Sequence, residues 1–390
     1  MSWTSDAMGI VCPAKPLKKV TVVPSDNVWQ LNLDQVESNS GNVLAKVRAP
    51  YSDAGNSTHW FDARHVLYSK LRPYLNKVVL PDEQGLATTE LVPLLPDQKR
   101  LDRKYLAYYL RSNEFVNWVN GQVAGAKMPR VSMKVFWEHE IPLPPLPEQN
   151  RLVAILDKAD AIRRKRQHAI QLADQFLRAV FLDMFGDPVT NPKGWEVKTL
   201  KDITSKIGSG ATPRGGKEAY HEEGVSLIRS LNVHDDLFLL KNLAFINDDQ
   251  ASKLSNVAVE EQDVLLNITG ASVCRCCIVY HKILPARVNQ HVCVIRTNKG
   301  ILNSEYLLHT LISSSYKRKL LNLATSGGAT REALTKLQVK QLELPVPPFD
   351  LQEEFSKINK AVKSSLGKMK CFSNETFFES LSQKAFSGDL

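Results

Sequence analysis

The sequence predicts an α+β chain: two mixed α/β domains separated by two long antiparallel coiled-coil-like helices, arranged as a pseudo-twofold repeat. Three observations predict it. Short motifs recur in the same order at a spacing near 200 residues. Each copy closes in a proline-rich joint, and each joint leads into a segment with an apolar stripe at helical spacing. The boundaries that follow are 1–147 for the first domain with its joint, 148–187 for the first spacer helix, 188–349 for the second domain with its joint, and 350–390 for the second spacer helix.

The repeat is read residue by residue. Val66-Leu67-Tyr68-Ser69 corresponds to Val264-Leu265-Leu266-Asn267, Tyr105-Leu106 to Tyr306-Leu307, and Arg130 to Arg331. Ile141-Pro142-Leu143-Pro144-Pro145 corresponds to Leu344-Pro345-Val346-Pro347-Pro348, Gln149 to Gln352, and Phe176 to Phe377, with offsets drifting only from 198 to 203. The openings are less regular: Trp29-Gln30-Leu31 and Val36 resemble Trp195-Glu196-Val197 and Ile203 at an offset of only 166. Within the variable regions, runs such as Val264-Leu265-Leu266 and Val292-Cys293-Val294-Ile295 read as strands between Gly, Pro and Asn. Residues 105–119 and 305–323 have helical periodicity. The joints at 142–147 and 345–348 lack backbone donors and exclude regular helix, which makes them natural boundaries.

From 148 to 185 the chain is rich in Ala, Leu, Gln, Lys and Arg, with no Gly or Pro before Gly186. Leu152, Ile155, Ala159, Ile162, Ala169, Ala173, Phe176 and Val180 form a seam interrupted by Arg166. Such a helix is about 55 Å long, more than one compact domain needs. Phe355, Ile358, Val362, Leu366, Met369 and Phe372 give a rougher second stripe, weakened by Gly367. Two single-stripe helices can bury their stripes on each other in an antiparallel pair. The run Arg163-Arg164-Lys165-Arg166 reads as a solvated face or docking surface rather than a DNA contact.

The length suits two or three domains, and 43% hydrophobic residues suffice for packed cores. A net charge of +9 and pI near 9.1 favour an acidic partner, nucleic acid first and an anionic membrane surface second. No apolar run reaches the ~18–20 residues of a membrane span, and residues 1–19 lack a signal-peptide pattern. A cytoplasmic location with six reduced cysteines is therefore expected.

In this layout the chain resembles the specificity subunits of Type I restriction–modification enzymes. The resemblance covers all but roughly the first twenty-five residues. It is carried by Val66-Leu-Tyr-Ser-Lys-Leu-Arg-Pro-Tyr-Leu-Asn76, Leu143-Pro-Pro-Leu-Pro-Glu-Gln149, Phe181-Leu-Asp-Met-Phe-Gly-Asp187, Gly194-Trp-Glu-Val-Lys-Thr-Leu200, Ile207-Gly-Ser-Gly-Ala-Thr-Pro213 and Gly327-Gly-Ala-Thr-Arg331. The doubled joint and helix is its most specific part. The resemblance implies that each domain reads one half of a split double-stranded DNA site in the major groove. It also implies that the helices fix the half-site spacing and dock two methyltransferase subunits carrying S-adenosylmethionine. Restriction subunits using ATP and magnesium would join the assembly. No cofactor and no metal is expected in this chain itself.

The residues agree with a non-catalytic role. An amino-methyltransferase acting on DNA needs Asn or Asp before Pro-Pro-Tyr/Phe, but Val346-Pro347-Pro348-Phe349 begins with a side chain that accepts no hydrogen bond. Pro96-Asp97 and Asp102-Arg103-Lys104 match a nuclease pattern, but lie too close together for two strands to share a metal. Neither a phosphate-cradling Gly-x-x-x-x-Gly-Lys-Ser/Thr nor a Gly-x-Ser-x-Gly is present. Cys274, Cys276, Cys277, His281, His291 and Cys293 have zinc-ligand types but not zinc-knuckle spacing, and reduced core cysteines are the simpler reading. Base reading needs Arg, Lys, Asn, Gln, Ser or Thr at base edges and further cations on phosphates. The candidates are Lys70, Arg72, Lys127 and Arg130 in the first domain. In the second they are Thr212, Arg214, Lys217, Arg229, Asn232, Arg275 and Arg331. The alternatives are a stand-alone DNA-binding regulator or scaffold, a single-chain enzyme, and a structural coiled-coil protein.

Overall fold

The computed structural model describes residues 3–18, 20–55, 57–124, 128–213, 216–325, 332–370 and 374–390; the side chains of 124, 216, 217, 368–370 and 374–376 are not described. The chain divides into two compact units, Met1–His168 with Lys370–Leu390, and Ala169–Met369. The helix Leu146–Phe185 supplies its first part to one unit and its second part to the other. The first unit also takes the helix Asn374–Ser387, and the second nearly all of Phe349–Lys370.

Each unit contains the same two sheets. In the first, Arg48–Pro50, Asn27–Leu31, Gly85–Ala87 and His59–Phe61 lie in that order, with the central pair parallel. In the second, Ala244–Ile246, Val225–Ile228, Ala286–Val288 and Ala258–Val259 repeat the order and the parallel central pair. The second sheet is built on Val66–Ser69, flanked by Val78–Val79 and Leu91–Leu94. Its counterpart is Val264–Asn267, flanked by Cys276–Ile278 and Val292–Thr297, with Thr204–Ser209 added at the edge. All four residues of Val66–Ser69 and of Val264–Asn267 are buried, which is why they read as continuous apolar runs rather than alternating ones.

Helices cover one face of this second sheet: Arg103–Leu110 and Asn113–Asn120 in the first unit, Ser304–Ile312 and Ser314–Thr325 in the second. Tyr105 and Tyr306 are fully buried there, and their hydroxyls donate to the carbonyls of Pro142 and Pro345. Gln149 and Gln352 are also fully buried and make equivalent bonds. Gln149 accepts the N–H of Asp102 and donates to the carbonyls of Arg100 and Pro144, all at 2.8 Å. Gln352 accepts the N–H of Asn303 at 2.8 Å and donates to the carbonyls of Ile301 and Pro347 at 3.0 and 2.8 Å. The prolines of each joint leave carbonyls without a regular ladder, and the tyrosine hydroxyl and the glutamine amide each satisfy one of them.

The pairing corrects the expected start of the repeat. Ser5 lies opposite Pro142 as Val197 lies opposite Pro345, so Trp3, not Trp29, is the counterpart of Trp195. Trp29 instead sits in a core with Phe61, its ring edge-on at 5.1 Å. A tryptophan two residues before an aliphatic one is the shared cue of Trp29 and Trp195, and only the backbone pairing separates Trp29 from Trp3.

In the first unit the two helices run antiparallel: Arg151 donates to the Leu390 carbonyl at 2.6 Å, and the Arg163 guanidinium lies 5.8 Å from the Phe378 ring. In the second unit Phe181 and Phe185 near the end of the long helix meet Phe355 near the start of its partner, at 5.4 and 5.6 Å. The seam is only partly as expected. Leu152, Ala159, Phe355 and Leu366 are buried, and Ile155, Ala169, Ala173, Val180, Ile358 and Val362 are half-buried. Ile162 and Phe176 are 49% and 51% exposed. The packed face consists instead of Leu152, Val153, Leu156 and Ala159, then Leu177, Phe181 and Phe185. An α-helix drifts by ~20° per heptad from a strict 3.5-residue repeat, which turns Phe176 away and brings in Leu177. The side chain of Met369 lies outside the described residues. Among the described residues no helix is long and apolar enough to cross a membrane.

Candidate nucleic-acid interface

At one edge of the first unit, residues 70–72 meet residues 129–131. Leu71 bridges Arg130, the N–H of Arg72 donates to the Pro129 carbonyl at 2.7 Å, and the N–H of Val131 donates to the Lys70 carbonyl at 3.1 Å. Three of the candidate cations, Lys70, Arg72 and Arg130, are thereby brought together; Lys127 lies outside the described residues. Arg72 has φ +50°, a left-handed conformation that costs an L-residue roughly 1–2 kcal/mol. The turn 88–90 completes the edge, because the Lys70 N–H donates to the Glu90 carbonyl and the Glu90 carboxylate takes the Arg130 fork at 3.0–3.3 Å. This bond, with the charge beside it, raises the Arg130 guanidinium above its ordinary range.

The second unit builds the same edge from different chemistry. Thr269 bridges Ala333, the Gly270 N–H donates to the Glu332 carbonyl at 3.0 Å, and the Ile268 N–H donates to the His291 carbonyl at 2.9 Å. Gly270, with φ +77°, stands where the first unit has Arg72. Ala333, not Arg331, stands where it has Arg130, so the correspondence of Arg130 with Arg331 is off by two residues. Arg214 and Arg331, and the side chain of Lys217, lie outside the described residues. The turn 289–291 replaces 88–90: Thr212 donates to the Gln290 side-chain oxygen Oε1, Gln290 Nε2 lies 3.1 Å from His291 Nε2, and His291 Nδ1 lies 2.5 Å from Thr269 Oγ1.

The remaining candidates are not gathered into this edge. Asn232 is fully buried: it accepts the Arg229 N–H at 3.1 Å and donates to the Leu239 carbonyl at 2.9 Å, so it closes a turn and presents nothing outward. Arg229 donates to the Asn242 carbonyl and lies 5.1 Å from the Tyr220 ring, and is half-buried. Arg275 lies 3.5 Å from His234 Nδ1. A polar residue beside a strand reads alike whether it faces a groove or closes the local turn, which is why Asn232 was misplaced.

Glu90, Gln290 and His291 were missed as candidates for this surface. The available signal was the repeat itself, since an offset of 201 places Glu90 opposite His291 just before the buried strands Leu91–Leu94 and Val292–Thr297. Cys276 and Cys293 flank Leu266 in one core, while Cys277 enters the other. Burial pushes the thiols of Cys274, Cys277 and Cys293 up to about 12 and that of Cys276 well above its usual range. Among the described residues no group of three or more His, Cys, Asp or Glu side chains is placed to hold a metal. The carboxylates of the nuclease-like pattern are engaged locally: Asp97 accepts the Lys99 N–H, and Asp102 caps Arg103–Leu110 through the N–H groups of Lys104 and Tyr105.

Known proteins share this architecture. The E. coli Type I restriction enzyme EcoDI specificity subunit is 24% identical over 168 residues, which span 42% of this chain and 37% of that protein. The MjaVIII specificity subunit of Methanocaldococcus jannaschii is 23% identical over 72% of this chain and 68% of its own length. The structure of the Type I restriction–modification S subunit from M. genitalium has a TM-score of 0.61 at 16% identity, covering 99% of this chain and 96% of that one. The model of the Type I restriction modification DNA specificity domain matches residues 68–172 and 192–369. With both copies of the repeat matched by that model, the chain belongs to the Type I restriction–modification specificity-subunit family.

Proposed function

We propose that this chain supplies the DNA sequence specificity of a Type I restriction–modification complex and performs no chemistry itself. One domain reads each half of a bipartite site, and the helices set the spacing and dock two methyltransferase subunits. Restriction subunits complete the assembly. S-adenosylmethionine, ATP and magnesium belong to those partner chains. The observation that carries this reading is that two units of one topology present unlike polar edges, Glu90 with Arg130 in one and Gln290 with His291 in the other. Two readers on one frame, with different donors and acceptors, fit two different half-sites. The net charge of +9 favours the phosphate contacts that such readers need.

Genome-wide methylation mapping tests the proposal, in cells that carry the modification subunit with and without this chain. The expected result is an interrupted motif of two unlike halves that vanishes when the chain is removed. An uninterrupted palindrome, or methylation indifferent to the chain, overturns it and favours a stand-alone DNA-binding role.

A further inference from the structure

We propose that Gln290 is a specificity-determining residue of the second domain and reads an adenine in its half-site. The inference rests on the proposed reading of DNA by this chain, and its own warrant is hydrogen-bond counting at the turn 289–291.

Gln290 is exposed, yet its amide is held at both ends. Thr212 donates its hydroxyl proton to Oε1. Nε2 can only donate, so His291 Nε2, 3.1 Å away, is the acceptor. The imidazole proton therefore sits on Nδ1 and points to Thr269 Oγ1 at 2.5 Å. Thr212 and His291 act as positioning residues for the amide. The loop carrying Thr212 is itself pinned: the Gly210 N–H donates to the Asn289 carbonyl at 3.1 Å, and a Cβ at Gly210 would come within 1.7 Å of the Val288 carbonyl oxygen. Only glycine allows the loop so close to the turn.

A carboxamide has two acceptor lone pairs and two N–H donors. Thr212 uses one lone pair and His291 one hydrogen, which leaves one acceptor and one donor for a ligand. Adenine presents the complement in the major groove, an acceptor at N7 and a donor at N6, and glutamine pairs with it through two bonds. Guanine presents two acceptors there and cannot satisfy the free lone pair. Because the amide is already fixed, binding loses little side-chain entropy. The first domain has Thr89 and Glu90 at this turn, and its Arg130 fork is occupied by Glu90. It therefore offers a different pattern, and the two half-sites differ at the position this turn reads.

The test is competition binding by the complex of this chain with its modification subunits, on duplexes in which each A·T pair of the mapped site is replaced in turn. The wild-type complex is expected to lose roughly ten-fold or more in affinity at one A·T pair that Gln290 reads. In Gln290→Ala that single penalty disappears while the penalties at all other positions stay. Thr212→Val shrinks the same penalty, and Thr212→Ser restores it. Penalties unchanged in Gln290→Ala, or a uniform loss on every duplex, overturn the assignment. If the wild-type complex shows no sequence preference on any duplex, the proposed function itself fails rather than the assignment of Gln290.

Discussion

Gln149 and Gln352 make the same three hydrogen bonds in the two units, whereas the turns 88–90 and 289–291 share a backbone position and no chemistry. The buried amides cannot vary freely, because any other side chain strands an N–H and two carbonyls away from water. The outward side chains of the two turns carry no such constraint, so the frame repeats while the candidate edge diverges. A third region lies between these extremes, where each globular part docks on its helix. In the first unit Lys104 pairs with Asp157 at 2.7 Å, both half-exposed. At the position equivalent to Lys104, the second unit has the buried Glu305, held by Asn359 at 2.7 Å and by Lys363 at 3.5 Å. The polarity is reversed between the two junctions, and the burial differs.

The largest effect expected from this comparison is at the glutamines. Gln149→Ala and Gln352→Ala each strand three backbone groups, and each is expected to lower unfolding free energy by about 3 kcal/mol in urea titrations. A loss at one position only would break the equivalence of the two joints. Glu305→Ala leaves Lys363 paired with Asp236 but strands the buried Asn359 amide, and is expected to cost about 2 kcal/mol. Lys104→Ala removes an exposed pair and is expected to cost under about 1 kcal/mol. Similar losses at 104 and 305 would show that burial does not separate the two junctions.

The pH response sharpens the comparison further. Burial depresses His139 of the first unit to about 4 and His309 of the second to about 3, from an ordinary value near 6.5. A histidine held neutral in the fold contributes stability that is present above 6.5 and lost as pH falls through the folded value. Stability is therefore expected to decline below pH 6.5, with His139 spent by about 4 and His309 continuing to about 3. Burial also raises the Glu305 carboxyl, beyond what the nearby Lys363 offsets, and this runs the other way, favouring the fold as acid protonates it. Denaturant titrations of His139→Gln and His309→Gln between pH 7 and 4 measure this; a wild-type slope unchanged in both variants contradicts it.

Smaller still is Arg72→Gly. It relieves a left-handed residue and is expected to leave stability unchanged or raise it by about 1 kcal/mol, while DNA affinity falls and its salt dependence lessens. Unchanged binding would remove Arg72 from the reading edge.

Much of the frame was legible in the sequence because buried repeats keep their spacing: Val66–Ser69 against Val264–Asn267, the two joints, and the paired glutamines all fell into order. What was not legible depended on pairing rather than pattern. Trp3 and Trp29 look alike until the strand opposite each is known. Phe176 fits a heptad seam but sits on a helix that turns at 3.6 residues. Among the candidate residues, Lys70, Arg72 and Arg130 stand out in the sequence as cations beside a strand end, and the structure gathers them at one edge. Gln290 and Glu90 were missed because a neutral amide and an acid carry no charge signal for a polyanion.

The most direct test of two independent readers on one frame is methylation mapping with paired lesions, Arg130→Ala in the first domain and Gln290→Ala in the second. The account predicts that each lesion relaxes a different half of one interrupted motif and leaves the gap between the halves unchanged. Both lesions relaxing the same half, or a motif without a gap, would contradict it.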